Sequence, residues 1–283
     1  MEQIIRKAEP RPRNRLVILD YIFYVVLVVA VAGFLYYLYS YRDTIALYLP
    51  YLLQAAGLTI GLSVVSAILA IVLGFIGAMG RLSRFAALRW IATIYVEVVR
   101  GTPILVQLLF WYYGIGQLLS NLGFDPYNAA FQFMTVLQEN SLVPAAFSPY
   151  FYGVIGLSFN YGAYLTEVFR AGIQSVDKGQ AEAALSLGLN PRQVMRHIIL
   201  PQAIRITLPP FTNYFITLIQ DSALLSVLGV VELEETIGSF AYPMLNSNDK
   251  LFMFILGAML YFVICYALAL VARYLEGRMG RAY

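Results

Sequence analysis

Glu182-Ala183-Ala184, followed by Gly188 and then by Ile198-Ile199-Leu200-Pro201, forms a polar segment between two long apolar runs. Residues 181–187 are Ala, Glu, Leu and Ser, most of which favour helix. Gly188 then provides a helix stop, because glycine tolerates the left-handed backbone of a C-cap. Asn190-Pro191 follows as an N-cap with proline at the first helical position. The pattern predicts two short helices joined by a glycine elbow, the second at about 191–199.

The remainder of the chain has the composition of an integral membrane protein. Its 283 residues are 60% hydrophobic and 12% charged, against about 25% charged in an ordinary soluble domain. A spanning helix needs roughly 20 mainly apolar residues. By this measure we expect an all-α protein in contact with membrane lipid, with six spans at about 17–39, 51–79, 91–119, 150–170, 204–230 and 251–272.

The first span admits two interpretations. Basic residues, an apolar run and Ala30-Val31-Ala32-Gly33 resemble a cleavable signal peptide. The apolar run continues through residues 34–39, which is longer than a signal core, and it ends in tyrosines typical of a membrane interface. We expect a retained helix, and cleavage would leave the later spans in the same orientation.

The distribution of lysine and arginine predicts that both termini are cytoplasmic. With this orientation, only Arg42 and Lys250 of the 19 basic residues lie in outer loops, and Arg100 lies within a span. The polar segment at about 171–203 is then cytoplasmic, whereas the stretches at about 120–149 and 231–250 are outside. Both outer stretches carry acidic residues that suit docking of a soluble partner, although solvated loops have the same composition.

Several kinds of chemistry are excluded. The single cysteine (Cys265) and the single histidine (His197) cannot supply a thiol cluster or a multi-histidine metal site. The phosphate loop Gly-x-x-x-x-Gly-Lys-Ser/Thr does not occur, so the ATP phosphates have no such cradle here. A DNA-binding role for the elbow is excluded by its place between two spans, so no nucleic-acid partner is expected. We predict no catalytic residues, no metal and no cofactor in this chain.

Charged residues inside spans are candidates for function, because burying a charge in a bilayer costs several kcal/mol. Glu97 and Arg100 are three residues apart on one helix and are predicted to form a structural ion pair. Glu167 is the stronger ligand candidate, because it shares a helix face with Asn160. Further polar residues of the spans that could line the same pocket are Gln107, Gln220, Asp221 and Ser222.

These residues resemble a known family. Glu-Ala-Ala, three residues, Gly, nine residues, Ile, one residue and Leu-Pro is the consensus loop of ABC importer permeases, and residues 182–201 match it throughout. The wider sequence is similar to the permeases for histidine, glutamine, arginine and glutamate. Stretches that carry this likeness are 95–103 (Tyr-Val-Glu-Val-Val-Arg-Gly-Thr-Pro), 160–167 (Asn-Tyr-Gly-Ala-Tyr-Leu-Thr-Glu), 169–180, 200–205 and 222–229, together with Gln107. The family often has Lys-Asp-Thr-Ser where this chain reads Gln220-Asp221-Ser222-Ala223, and the loss of a positive charge there leaves the ligand preference open.

The resemblance implies a type I ABC importer permease fold. The expected domains are a basic N-terminus with an extra transmembrane helix (1–50), a five-span core (51–275) and a cytoplasmic tail (276–283). Glu182, Ala183, Ala184, Gly188, Leu200 and Pro201 would couple the core to an ATPase. The implied partners are two ABC ATPase subunits that bind ATP and Mg²⁺, a second permease of the same or a sister chain, an extracytoplasmic amino acid-binding protein, and an amino acid. The location would be the inner membrane of a prokaryote.

A stand-alone, ion-coupled secondary amino acid transporter is the alternative. Buried carboxylates and interrupted helices also suit that class, but such proteins do not need this loop. The two halves of the sequence show no inverted repeat.

Overall fold

The computed structural model describes residues 13–124 and 147–279, which lie in two units, Met1–Tyr51 and Leu52–Tyr283. The first unit contains α1 (Arg13–Ser40) and the start of α2 (Arg42–Arg81). The rest of α2 belongs to the second unit. There it is followed by α3 (Ala86–Arg100), α4 (Ile104–Leu109), α5 (Gly116–Asn121), α6 (Phe147–Gln174), α7 (Lys178–Ser186), α8 (Pro191–Val194), α9 (Leu200–Asp221), α10 (Leu233–Ala241) and α11 (Ser247–Met279). Most of the predicted outer loop at 120–149 lies outside the described residues.

Long apolar helices make this a multi-pass membrane protein. Among the described residues, three helices are long and apolar enough to cross a bilayer: Asp20–Ser40, Arg42–Arg81 and Ser247–Arg278. Two bent helix pairs raise the number to five. Helix α6 has 28 residues, long enough to span, but its polar and aromatic side chains keep it outside this group. The expected count of six spans therefore stays a prediction.

The span predicted at 91–119 is not one straight helix, because it breaks in its middle. Helix α3 ends at Arg100, and the chain turns by 111° before Ile104–Asn121. Pro103 explains the break, since a proline disfavours helical backbone at the preceding residue. The side-chain amide of Gln107, Nε2, links the two sides of the break by donating to the carbonyl oxygens of Val99 (2.7 Å) and Thr102 (3.0 Å).

The core is built around α6, which packs against α3, α4 and α9. Leu157 and Leu165 of α6 are buried together with Leu108 of α4 and Leu218 of α9. Helix α2 approaches α6 through Gly77, where a β-carbon would overlap the hydroxyl of Thr166. The absence of a side chain at Gly77 therefore allows α2 and α6 to pack closely.

Candidate functional site

The elbow forms as the sequence predicts. The side chain of Asp177 caps α7 by accepting a hydrogen bond from the amide of Gly179. At the other end of α7, Gly188 has φ +86°. The amide of Gly188 donates to Leu185 O (3.0 Å) and that of Leu189 donates to Ala184 O (3.2 Å). These two bonds are the Schellman pattern, which satisfies the last carbonyl groups of a helix.

The second helix begins with a full set of caps. Asn190 Oδ1 accepts from the amide of Gln193 (3.0 Å), and the side chain of Gln193 accepts from the amide of Asn190 (2.9 Å). Pro191 occupies the first helical turn, where a missing N–H costs nothing. This reciprocal capping fixes the direction of the chain after Gly188.

The predicted end of the second helix near Leu200-Pro201 is wrong. Residues Met195–Ile199 form a π-helical turn that continues directly into α9, with the amide of Leu200 donating to Met195 O. Pro201 lies in the first turn of α9 and has no N–H to be left without a partner. Helices α8 and α9 therefore make one continuous helical path.

The elbow has a solvent-exposed surface. Glu182, Ala183 and Gly188 are exposed, and so is the side chain of Leu187, at 82% of its full accessible area. Ala184 is buried and packs the elbow onto the chain's own helices. The exposed alanine and leucine carry apolar surface that a partner protein can cover.

The two remaining residues of the predicted coupling set, Leu200 and Pro201, lie at the start of α9. Leu200 is half-buried and lines an apolar cavity between α2, α6 and α9, together with Phe75 and Phe169. Pro201 is exposed. Leu200 therefore packs within the chain, whereas the exposed residues of the elbow face outward.

Glu167 belongs to a charge cluster and is not an isolated carboxylate. Its Oε2 accepts from Arg170 Nη2 (2.6 Å) and Nε (3.0 Å). Its Oε1 lies 3.3 Å from Arg81 Nε. Arg81 is the last residue of α2, so the cluster joins the end of α2 to the C-terminal part of α6.

A cleft with a volume of about 400 Å³ opens beside this cluster, between α3, α6 and α9. Glu167 and Arg100 line it, together with Tyr164 of α6 and Tyr214 of α9. The ring centroids of the two tyrosines are 5.4 Å apart. The guanidinium carbon of Arg100 lies 5.3 Å from the ring centroid of Tyr164. The wall thus combines aromatic faces with a cation, a surface suited to a small polar organic ligand.

The predicted ion pair between Glu97 and Arg100 is wrong within residues 13–124 and 147–279, where neither side chain forms one. Arg100 is the last residue of α3, and its side chain extends past the helix end to Tyr164 of α6. Glu97 remains exposed on α3. The two residues keep their i, i+3 spacing within α3, but the Arg100 side chain turns toward Tyr164 and not toward Glu97.

The six predicted ligand residues do not converge on one cavity in the described structure. Gln107 and Asn160 meet each other, Asn160 Nδ2 donating to Gln107 Oε1 (3.1 Å), but they do so inside the helix break. The buried hydroxyl of Ser222 donates to Ile219 O (2.8 Å). Asp221 Oδ2 accepts from the hydroxyl of Tyr161 (2.7 Å).

Gln220 and Glu167 line two separate cavities. That of Gln220 lies against α11, and that of Glu167 is the cleft beside Arg100. Spacing along the chain identified the polar residues but not the sides of the helices to which they turn.

Sequence reasoning missed the role of Glu232, which it assigned to an outer loop. Glu232 is fully buried and caps α10, its Oε1 accepting from the amide of Glu235 (3.0 Å). Its Oε2 accepts from the hydroxyls of Thr59 in α2 (3.2 Å) and Tyr261 in α11 (2.8 Å). The apolar spacing of Leu233 and Ile237 was the available signal for a helix in this stretch.

Comparison with known proteins is decisive for the class. Residues 70–281 match the family described as the inner membrane component of binding-protein-dependent transport systems. The chain belongs to this family. It is 36% identical to the L-cystine transport system permease protein of Bacillus subtilis, covering 79% of this chain and 84% of the relative. The arginine transport system permease protein of the same organism is 31% identical, over 82% and 93%.

Solved structures agree. A crystal structure of an amino acid ABC transporter with histidines matches this permease with a TM-score of 0.66 and 31% identity, covering 83% of this chain and 97% of that one. An inward-facing MetNI methionine ABC transporter matches with a TM-score of 0.54 and 18% identity, over 79% and 95%, which supports the fold alone. The permease has the type I ABC importer fold. The matched proteins are components of ABC systems, so the alternative of a stand-alone secondary transporter is wrong.

Proposed function

We propose that this permease forms the translocation path of an ATP-driven amino acid importer, and that a separate ATPase drives it through the elbow. The observation that carries the proposal is the continuous helical path from the elbow into α9, whose other side lines the cleft with Tyr214. A partner that moves the elbow thereby moves one wall of the cleft.

Glu182, Ala183, Ala184 and Gly188 would seat the elbow in a groove of the ATPase. The exposure of Glu182, Ala183, Leu187 and Gly188 supports this role, since an apolar surface facing the cytoplasm needs a covering partner, while the buried Ala184 holds the elbow on the chain's own helices. ATP and Mg²⁺ would be bound by that partner. The complete importer would contain two ATPase subunits, a second permease of the same or a sister chain, and an extracytoplasmic amino acid-binding protein. Both termini would be cytoplasmic.

An amino acid would pass along the cleft of Arg100, Tyr164, Glu167 and Tyr214. The similarity to permease proteins of cystine and arginine transport systems supports an amino acid as cargo. Glu167 would contribute as a wall residue whose charge is balanced by Arg81 and Arg170. Asn160, Gln107, Asp221, Ser222 and Gln220 would shape or extend the path from its surroundings.

Reconstitution tests the proposal. The permease is copurified with its associated chains, placed in lipid vesicles, and supplied with radiolabelled L-arginine, L-glutamine, L-glutamate or L-cystine. We expect uptake of at least one of these that requires ATP and a binding protein. Uptake that follows an ion gradient and ignores ATP would overturn the proposal.

A further inference from the structure

The cleft beside α6 is lined by a cation, Arg100, that forms no salt bridge. This holds for every partner within residues 13–124 and 147–279. Arg100 is exposed, and near the end of its helix the carbonyl of Val99 accepts from the side chain of Gln107. The guanidinium is therefore accessible from the cleft and not held in an ion pair.

The acid nearest to Arg100 along the cleft is already engaged. Both oxygens of Glu167 face an arginine, Oε2 toward Arg170 and Oε1 toward Arg81. The cluster of Glu167, Arg81 and Arg170 carries one surplus positive charge before Arg100 is added. The cleft is thus cationic, and an anion would be attracted into it.

The surroundings of Arg100 suit a carboxylate. Its guanidinium carbon lies 5.3 Å from the ring centroid of Tyr164, within the range of a cation–π contact. The planar fork of N–H donors in a guanidinium matches the two oxygens of a carboxylate. Tyr214 lies 5.4 Å from Tyr164, centroid to centroid, and extends the aromatic wall beside this position.

We propose that Arg100 binds the α-carboxylate of the transported amino acid in the cleft of Tyr164 and Tyr214. The inference rests on the proposed function and adds the group that is recognised. Arg100 would read the part that all α-amino acids share, which leaves the choice among side chains to other residues. The cleft volume of about 400 Å³ accommodates an amino acid.

The test compares an amino acid with its α-carboxamide, which keeps the ammonium and the side chain but lacks the negative charge. Binding of L-arginine, L-glutamine, L-glutamate and L-cystine to the permease–ATPase complex is measured in nanodiscs without the binding protein, and the tightest of them is used. In the wild type we expect the acid to bind at least roughly tenfold more tightly than its amide, as a charged hydrogen-bonded contact requires. Arg100→Gln should weaken binding of the acid by a similar factor and leave binding of the amide unchanged. The variant should therefore no longer discriminate between the two.

Arg273→Gln is the matched control. Arg273 of α11 also lies over a tyrosine, 5.8 Å from the ring centroid of Tyr266, but outside the cleft. This variant should keep the preference for the acid. Arg100→Lys should retain part of it, because a lysine keeps the charge but loses the planar fork.

Four results would overturn the inference. In Arg100→Gln, these are equal weakening of acid binding and amide binding, loss of the permease pair by mass measurement, and loss of bound anionic lipid while the ratio of acid affinity to amide affinity is unchanged. The fourth is that no amino acid binds to a wild-type complex that transports normally. In all four, ATP-dependent and binding-protein-dependent uptake by the wild type would leave the proposed function standing.

Discussion

At the scale of single residues, the charges near the membrane divide into those that are balanced and those that are not. Glu167 is held between Arg81 and Arg170, an arrangement that an i, i+3 spacing in α6 accounts for only in part. Arg81 arrives from the end of α2, which is 86 positions earlier in the chain. A carboxylate in the wall of the cleft therefore costs less than an isolated one, because two cations accompany it.

We expect Glu167→Gln to reduce uptake and substrate-stimulated ATP hydrolysis by roughly tenfold or more, because two arginines lose their charged partner in the wall of the cleft. Both activities are measured in reconstituted vesicles at equal amounts of inserted protein. Glu276→Gln on α11 serves as the control, since Glu276 lies outside the cleft. Unchanged activities in Glu167→Gln would rule out a role for Glu167 in the path.

At the scale of secondary-structure elements, the junctions decide how motion is transmitted. Gly188 ends α7 with a left-handed backbone conformation. The next helix, α8, leads without interruption into α9. Near the opposite end of α9, the Glu232 carboxylate holds α10 against α2 and α11. Helix α9 therefore runs from the exposed elbow toward the buried contacts of Glu232.

Gly188→Val should leave the protein inserted in the membrane but reduce its association with the ATPase and its ATP-dependent uptake. A β-branched residue at φ +86° is strained by about 1–3 kcal/mol, and space is not the cause because no atom lies within 4 Å of the added β-carbon. Copurification of the ATPase and vesicle uptake measure the effect.

Two controls separate backbone strain from bulk. Gly188→Asn should retain most of the association, because asparagine tolerates the left-handed region. Gly277→Val, where the surroundings are equally open, should have no effect on association. Normal uptake by Gly188→Val would contradict the coupling role of the elbow.

We expect Glu232→Ala to lower the unfolding free energy by roughly 2–4 kcal/mol, because it removes the cap of α10 and leaves two buried hydroxyls without their acceptor. The thermal unfolding midpoint of the detergent-solubilised complex reports the change. Glu234→Ala in the same first turn is only half-buried and should change stability far less. Equal midpoints for the two variants would show that the buried network does not stabilise the fold.

At the scale of the whole molecule, the orientation in the membrane determines which surfaces meet which partners. The elbow is available to a cytoplasmic ATPase only if the N- and C-termini are also inside. Leu245, just before α11, is fully exposed, and Gly277 lies near its other end. In the predicted orientation, these two positions lie on opposite sides of the membrane.

In a Cys265→Ser background, we expect Leu245→Cys to react with a membrane-impermeant thiol reagent in intact cells. Gly277→Cys should react only after the membrane is permeabilised. The charge asymmetry of the loops is the physical reason. The reverse labelling pattern would invert the proposed orientation and place the elbow outside.

The sequence by itself determined the features that depend on neighbours along the chain. Composition and apolar length established a helical membrane protein, and the caps at Gly188 and Asn190 established the elbow, because each acts on backbone groups a few residues away. Gly101-Thr102-Pro103 carried the signal for the break in α3, although the apolar pattern on both sides suggested continuity. These features are local, so they can be read without knowing the fold.

Only the tertiary structure decided which charges are paired. Arg81 meets Glu167, and Glu232 meets Thr59 and Tyr261, across distances in sequence that no periodicity encodes. The partner of Arg100 is Tyr164 and not Glu97, because α6 packs against α3 and brings an aromatic ring to the Arg100 side chain. A local pattern places a side chain on a face of its own helix, but the free energy of a charge depends on what the packed helices bring to that face.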